Sequence, residues 1–290
     1  MNYRHAFHAG NFADVMKHLT LTRILLYLRR KDTGFRVIDT HAGVGLYDLK
    51  GEAAARTGEW IEGVGRLMGR GLEGEAAALA EPYLEAVRAQ NPDGDLRFYP
   101  GSPLITQGLL RPQDRLSAFE LHPADSAALR ENFSRDRQTH VSELDGWTAI
   151  GAQLPPREKR GLVLIDPPFE EKGEFDRMTK ALLKGHRRWP TGIFAFWYPI
   201  KVPEEVASFV ADLEGTGIPK ILRLELTLRA PSMPPRLHGS GMVVVNPPFG
   251  LEGEMRILLP ALATLLADEG RGRWTLEWIR GEQAPSGGGR

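Results

Sequence analysis

The sequence predicts an α/β fold: a Rossmann-like, mostly parallel seven-stranded sheet with helices on both faces and a small helical insertion. Three observations predict it. From residue 115 onward, short apolar runs alternate with amphipathic stretches, the pattern of a parallel sheet covered on both sides. The apolar run FRVIDT (35–40) leads straight into a glycine turn, HAGVG. Acidic residues also stand at the ends of successive strands, where open α/β sheets bind their ligands.

The elements follow in order. FADVMKHLTLTRILLYLRRK (12–31) has apolar residues at helical spacing and ends in a basic turn, so it reads as a helix with a suitably charged C-terminus. FRVIDT is the first buried strand. Residues 52–92 change character, becoming rich in Ala, Glu, Leu and Arg with breaks at Gly69–Gly71 and Pro92. Residues 51–95 are therefore read as an inserted helical subdomain. LRFYPGSP (96–103) leads back to the core. Strands are expected at 115–120, 139–144, 161–166, 192–198, 219–228 and 241–246. Helices are expected at 124–134, 146–153, 174–188, 203–215 and 252–268. RWTLEWI (273–279) is a candidate last strand. The core thus comprises 1–50 and 96–282, with 1–18 as an N-terminal motif, and the tail 283–290 is expected to be disordered.

Composition narrows the chemistry. The 290 residues carry 37 basic and 37 acidic side chains, 42% hydrophobic residues and no cysteine. Neutral net charge decides nothing about nucleic acid, because a binding face can be locally basic. Basic residues do bunch at Arg4–His8 with Lys17 and His18, at Arg29–Lys31 and at Lys184–Arg188, although solvated faces are the plainer reading of such runs. Without thiolates there is no disulfide, no cysteine zinc site and no iron–sulfur cluster. Radical chemistry on such a cluster is excluded. Methylation at a pyrimidine C5 is disfavoured because it uses a cysteine nucleophile. No apolar run approaches the ~20 residues that span a bilayer, and MNYRHAFHAGNF lacks the apolar region of a signal peptide. A cytoplasmic location is expected.

The strand ends suggest a nucleoside site. Asp39-Thr40-His41-Ala42-Gly43-Val44-Gly45 is a glycine turn that lets backbone approach a ligand closely, although such a turn is often only a turn. His41 is notable because the turn does not need a histidine. Glu120, ending the next strand, can accept from both hydroxyls of a ribose. Asp145-Gly146, at the third, can reach an adenine amine and leave room for the ring. The plainer alternatives are that Glu120 caps the helix near Pro123 and that Asp145 is an N-cap.

The fourth strand ends in Asp166-Pro167-Pro168-Phe169-Glu170, the most specific signal in the chain. An adenine amine is a poor nucleophile because its lone pair is delocalised into the ring. Two acceptors on its two N–H groups free that lone pair. The Asp166 carboxylate can be one. The Pro167 carbonyl can be the other, since consecutive prolines keep the backbone out of a helix that would consume it. Phe169 offers a face for base stacking, and Asp166 can take the surplus proton. Asn246-Pro247-Pro248-Phe249 fits the same pattern. It follows the seventh strand, which is expected to run antiparallel, so it is read as structural.

These motifs, with YRHAFHAGNFADVMKH (3–18), RTGEW (56–60), YPGSP (99–103), ELHP (120–123), WYP (197–199) and SGM (240–242), closely resemble the RlmJ family across nearly the whole chain. That family belongs to the class I N6-adenine methyltransferases that use S-adenosylmethionine (SAM). It methylates one adenine of 23S ribosomal RNA, adenine 2030 in that family, with the base flipped into the D-P-P-F pocket. The resemblance implies SAM contacts at His18, His41, Ser102, Glu120, Asp145, Gly146 and Asp166, and target-nucleotide contacts at Tyr3, His5 and Lys17, with Pro167 and Phe169. It also implies 23S rRNA as partner, and a monomer with neither metal nor membrane association is expected. Phe169 departs from the tyrosine common at that position: stacking survives, a hydroxyl hydrogen bond does not. Without the resemblance, Lys17 and His18 pass as helix surface, and His5 with His8 as an exposed polar pair with no carboxylate cluster nearby. DNA adenine, a protein glutamine amide and a catalytically silent RNA-binding module remain as alternatives.

Overall fold

The computed structural model describes residues 4–268 and 272–282. Helix α1 (Phe12–Leu28) starts at Asn11, whose side chain accepts from the amides of Ala13 and Asp14 at 3.0 Å. Its apolar residues lie on every side, and nearly all of it is buried, so it runs through the interior rather than over it. It stops short of Arg29-Arg30-Lys31, which are exposed.

Strand β1 (Arg36–Asp39) enters the glycine turn, and β2 (Leu46–Asp48) leaves it. The insertion follows as α2 (Glu52–Thr57), a wide turn at Ile61–Gly65, α3 (Arg66–Arg70) and α4 (Gly74–Ala89). It is closed by β3 (Phe98–Pro100), which pairs antiparallel with β2. That ribbon was not visible in the sequence, because two three-residue strands leave no periodicity. The insertion has no separate core: Val64, Leu67, Ala80, Tyr83 and Val87 join the apolar cluster around α1.

The rest alternates as expected: α5 (Ser102–Leu109), β4 (Arg115–Glu120), α6 (Pro123–Asn132), β5 (Thr139–Glu143), α7 (Gly146–Gln153), β6 (Gly161–Ile165), α8 (Glu174–Arg188), β7 (Ile193–Ile200), α9 (Pro203–Gly215), β8 (Ile221–Thr227), β9 (Gly239–Val245), α10 (Leu251–Leu266) and β10 (Arg273–Arg280). The main sheet has the order β10-β8-β9-β7-β6-β1-β4-β5. It holds eight strands, not seven, because the candidate strand at 273–279 does pair, antiparallel to β8, and covers what would otherwise be an open edge. Strands β1, β4, β5, β6 and β7 are parallel. Strand β9 runs antiparallel to both β7 and β8.

Side-chain alternation divides the strands between two cores. Leu162 and Leu164 face the α1 cluster, while Val163 and Ile165 face a second cluster formed with α7, α8 and α9. The chain moves outward from β1 to β4 and β5, then crosses to β6 on the other side of β1. This is the switch point at which a crevice opens past the carboxyl ends of the strands. The tail 283–290 lies outside the described residues.

Candidate active site

A cavity of about 610 Å³ opens at that switch point. Its wall takes Thr40–Gly43 after β1, Ser102 at the start of α5, Glu120 after β4, Asp145–Trp147 after β5 and Asp166 after β6. His5, Lys17 and His18 close it from the N-terminal side. Of the expected site residues, Pro167 and Phe169 lie outside the lining, and Tyr3 lies outside the described residues.

Asp166 sits at the centre of a charged relay. Lys17 Nζ donates to Asp166 Oδ2 at 2.5 Å and lies 2.7 Å from Asp14 Oδ1. Asp14 Oδ2 in turn accepts from the Gly10 amide at 2.8 Å and pairs with His5 Nε2 at 2.9 Å. Lys17 and Asp14 are both buried. Burial favours neutral Lys17, but Asp14 and Asp166 outweigh it and hold the ammonium charged well above the usual lysine range. Burial also opposes ionisation of Asp14, and His5 and Lys17 overcome this, keeping its pKa well below normal. Lys17 and His18 are thus interior residues, not helix surface, because α1 has no exposed face at that level.

The histidines are each oriented. Thr40 Oγ1 donates to the Leu164 carbonyl at 2.9 Å, so at its 2.8 Å contact with His41 the ring Nδ1–H must be the donor. This leaves His41 Nε2 as an acceptor. Desolvation pushes its pKa down to about 4. His18 Nδ1 meets the Tyr99 hydroxyl at 2.6 Å, and Tyr99 meets Tyr83 at 3.0 Å. Burial lowers the His18 pKa to about 3, and its Nε2 has no hydrogen-bond partner. His5 and His8 each take a separate carboxylate, Asp14 and Glu59. Among the described residues no group of three or more His, Asp or Glu could hold a metal.

The acids at the first three strand ends differ in how far they are already engaged. Glu120 accepts the Gly43 amide at 2.9 Å on one oxygen and the His122 amide at 2.8 Å on the other. Burial nevertheless raises its pKa, with those amides pulling the other way. It does not cap the next helix, whose N-cap is His122. Asp145 is an N-cap, accepting from the amide and hydroxyl of Thr148 at 2.9 Å, and it lines the cavity as well. The glycine after it is required by close approach: a Cβ on Gly146 would lie 2.3 Å from the Thr40 carbonyl. Gly43 adopts φ +61, a left-handed turn residue.

Several residues at the site were not singled out from sequence. Asp39 is wholly buried at the end of β1, with no hydrogen-bond partner for either carboxylate oxygen. Burial raises its pKa to about 7, and the neighbouring charge of Asp166 adds to this. Trp197 donates its indole N–H to Ser240 Oγ at 2.9 Å, which links the WYP and SGM motifs across β7 and β9. Its ring packs edge-on to Phe169, 5.9 Å between centroids, and lies 6.0 Å from Lys17 Nζ. Phe169 is further wedged against Phe175 at 5.0 Å. Glu59 of the RTGEW motif binds His8 at 3.0 Å and Asn11 at 2.9 Å, strapping the N-terminal segment to the insertion. Each partner is distant in the chain, so only the recurrence of the motifs hinted at them.

The second motif lies at the far side of the sheet. Asn246 follows antiparallel β9, and its Nδ2 donates to the carbonyls of Pro190 and Gly192 at 2.8 Å, at the amino end of β7.

A family model described as "Ribosomal RNA large subunit methyltransferase D, RlmJ" matches residues 32–280. The chain belongs to the RlmJ family. Two proteins named "Ribosomal RNA large subunit methyltransferase J" align over nearly their whole length. The one from Haemophilus influenzae is 46% identical over 97% of this chain and 100% of its own. The one from Escherichia coli is 44% identical over 96% and 99%. A crystal structure of a Legionella pneumophila protein shares the fold of this RlmJ-family chain with TM-score 0.85 at 34% identity, covering 93% of this chain and 98% of the other. No helix among the described residues is long and apolar enough to cross a membrane.

Proposed function

We propose that this chain transfers a methyl group from SAM to the N6 amine of one adenine in 23S ribosomal RNA, with the base flipped into the pocket beside Asp166. The observation that carries the reading is the Asp166 carboxylate on the cavity wall at the end of β6, followed by Pro167-Pro168 and gripped by buried Lys17. RlmJ-family membership and the names of the two relatives support the RNA substrate.

The residues present fit SAM. It brings two cations, a sulfonium and an ammonium, to a cavity whose wall includes Glu120, Asp145, Asp166 and Glu174, with the unpartnered carboxylate of Asp39 buried at the end of β1. His18 Nε2 is a second buried polar atom without a partner. Glu120 would hold the ribose, Asp145 and Gly146 the adenine, and His18, His41 and Ser102 the remaining polar groups. Bound there, SAM supplies an electrophilic methyl group.

The protein's part is to make the amine nucleophilic. Lys17 occupies Oδ2 of Asp166 and leaves Oδ1 to accept from the target amine. The Pro167 carbonyl would be the second acceptor: it follows Asp166 directly, although Pro167 itself lies outside the cavity lining. When the methyl group arrives, Asp166 would take the amine's surplus proton. Trp197 and Phe175 hold the Phe169 ring in place just after the lining residue Pro168. The test is incubation with labelled SAM and deproteinised 23S rRNA, followed by mass-spectrometric mapping. N6-methyladenine at one position is expected. Label in another base, in DNA alone or in protein glutamine would overturn the reading.

A further inference from the structure

We infer that the amino edge of the sheet carries a second RNA contact, a basic and aromatic surface formed by the last turns of α8 and the Asn246–Phe249 turn. This rests on the proposed RNA substrate and assigns a use to the motif that the reaction centre leaves aside.

The surface is assembled by hydrogen bonds. Asn246 Nδ2 binds the Pro190 and Gly192 carbonyls, and its own amide binds the Lys220 carbonyl at 2.9 Å. The turn after β9 is thereby fastened to the link between α8 and β7 and to the entry of β8. Phe249 projects from this turn 87% exposed, and no other described phenylalanine is exposed. On α8, whose end is tied to this turn through Pro190 and Gly192, Lys180, Lys184 and Arg187 are exposed and form no ion pair among the described residues. An open groove of about 570 Å³ runs past Leu183, Lys184, His186, Arg187 and Ile218. Near the turn, Glu282 pairs with Lys220, and Glu252 with Arg256.

Cations in the last turn of α8 complement the carbonyls at its C-terminus, but Lys180 lies two turns earlier and Phe249 is off the helix altogether. Like charges one turn apart on a helix repel, and an exposed phenyl ring contributes nothing to the core. A polyanion with unstacked bases satisfies both features. Lys180, Lys184 and Arg187 rise along the helix by roughly 6 and 4.5 Å, a ladder that can follow a phosphate backbone. A flat exposed ring stacks any base. Asp166 and this edge are separated by the length of β6, five residues or roughly 16 Å at about 3.3 Å per residue, so one RNA molecule can reach both. Such a contact adds affinity for long RNA without entering the chemistry.

The test uses two RNAs: a minimal hairpin around the target adenine and a long 23S fragment containing it. The variants are Lys184→Glu/Arg187→Glu, Phe249→Ala and Phe249→Trp, each checked by thermal melt. Expected for the double variant are unchanged kcat, SAM affinity and hairpin KM, with a KM for the long fragment raised roughly tenfold and a salt dependence of binding shallower by about 0.7–0.9 per lost phosphate contact. Phe249→Ala should raise the long-fragment KM roughly fivefold with the salt slope kept, and Phe249→Trp should restore it. Folded variants that bind the long fragment as tightly as wild type, with the same salt slope, would overturn the inference, leaving the surface to a protein partner. So would an equal loss on both RNAs. Direct binding measurements keep this test separate from the proposed activity: if wild type bound the long fragment through this surface but methylated neither RNA, the activity reading would fail and the surface would stand.

Discussion

Two nearly identical tetrapeptides end strands at opposite edges of one sheet, and their surroundings differ in every respect that matters chemically. Asp166-Pro167-Pro168-Phe169 leaves parallel β6 at the carboxyl edge, with its carboxylate gripped by buried Lys17. Phe169 is half-buried against Phe175 and Trp197. Asn246-Pro247-Pro248-Phe249 leaves antiparallel β9 at the amino edge. There the side-chain amide is taken up by two carbonyls of the neighbouring link, and the phenyl ring stands in solvent. The motif supplies acceptors and an aromatic ring at both ends. The edge where β1, β4, β5 and β6 converge adds a cavity walled by acidic residues and a buried ammonium paired with the motif's own carboxylate. A reactive motif is therefore a property of the strand's direction as much as of its residues.

The largest expected effect breaks the comparison at its active side. Asp166→Ala should lower single-turnover methylation by ~100-fold or more, because an acceptor and the proton's destination are lost together. SAM should still bind, as titration calorimetry would register. A near-wild-type rate would sink the assignment.

Next is a pH effect that the amino edge cannot show. Asp39 is raised from the ordinary 3.8 to about 7, chiefly by burial. Between those values the folded protein holds a proton that the unfolded chain releases, so stability falls as pH rises through that window and the contribution is gone above about 7. The apo protein should lose a few kcal/mol between pH 5 and 8, and Asp39→Asn should flatten the curve. Cation binding beside Asp39 should expel its proton, so SAM binding at pH 6 should release protons in calorimetry across buffers of different ionisation enthalpy. Equal slopes for the wild type and Asp39→Asn would refute this.

Glu120→Ala should weaken SAM binding by about 1.5–3 kcal/mol, the range for hydrogen bonds to a charged group. Its carboxylate also holds the Gly43 and His122 amides, so some of the loss reflects a loosened turn. Unchanged affinity by calorimetry would put Glu120 outside the cofactor's reach.

How far the sequence disclosed these sites depended on whether the signal was local. Short apolar runs and helical spacing placed most strands and helices, and the strand-end acids Glu120 and Asp166 could be found because each ends an apolar run, while Asp145 was marked by the glycine that follows it. Lys17 could not be read as interior, since its partner Asp166 is 149 residues away and nothing in α1 shows that both its faces are covered. Asp39 was in plain view in the glycine turn, yet its burial is a tertiary property, with Lys17, Ser102 and Asp166, all distant in the chain, among the groups acting on it. Trp197 and Ser240 are joined only by the pairing of β7 with β9. Ribbon β2–β3 was too short to leave a pattern, and β10 alternates weakly because its faces are only half covered.

The smallest expected effect is the sharpest contrast. Asn246→Ala removes two side-chain hydrogen bonds and places alanine at φ +52, a left-handed conformation that asparagine tolerates better. The cost should be about 1 kcal/mol, which in a chain of this size lowers the melting temperature by roughly 2–4 °C. Methyl transfer requires the reacting atoms within ~3–3.5 Å, a condition that a strand end at the amino edge cannot meet. On the minimal hairpin, kcat and SAM affinity should therefore match wild type within about twofold, well inside the ~100-fold expected at Asp166. Only the KM for long RNA should rise, because the turn that presents Phe249 is loosened. If the folded variant bound SAM normally and failed to methylate the hairpin, the chemistry would belong to the amino edge, and the opposition between the two tetrapeptides would collapse.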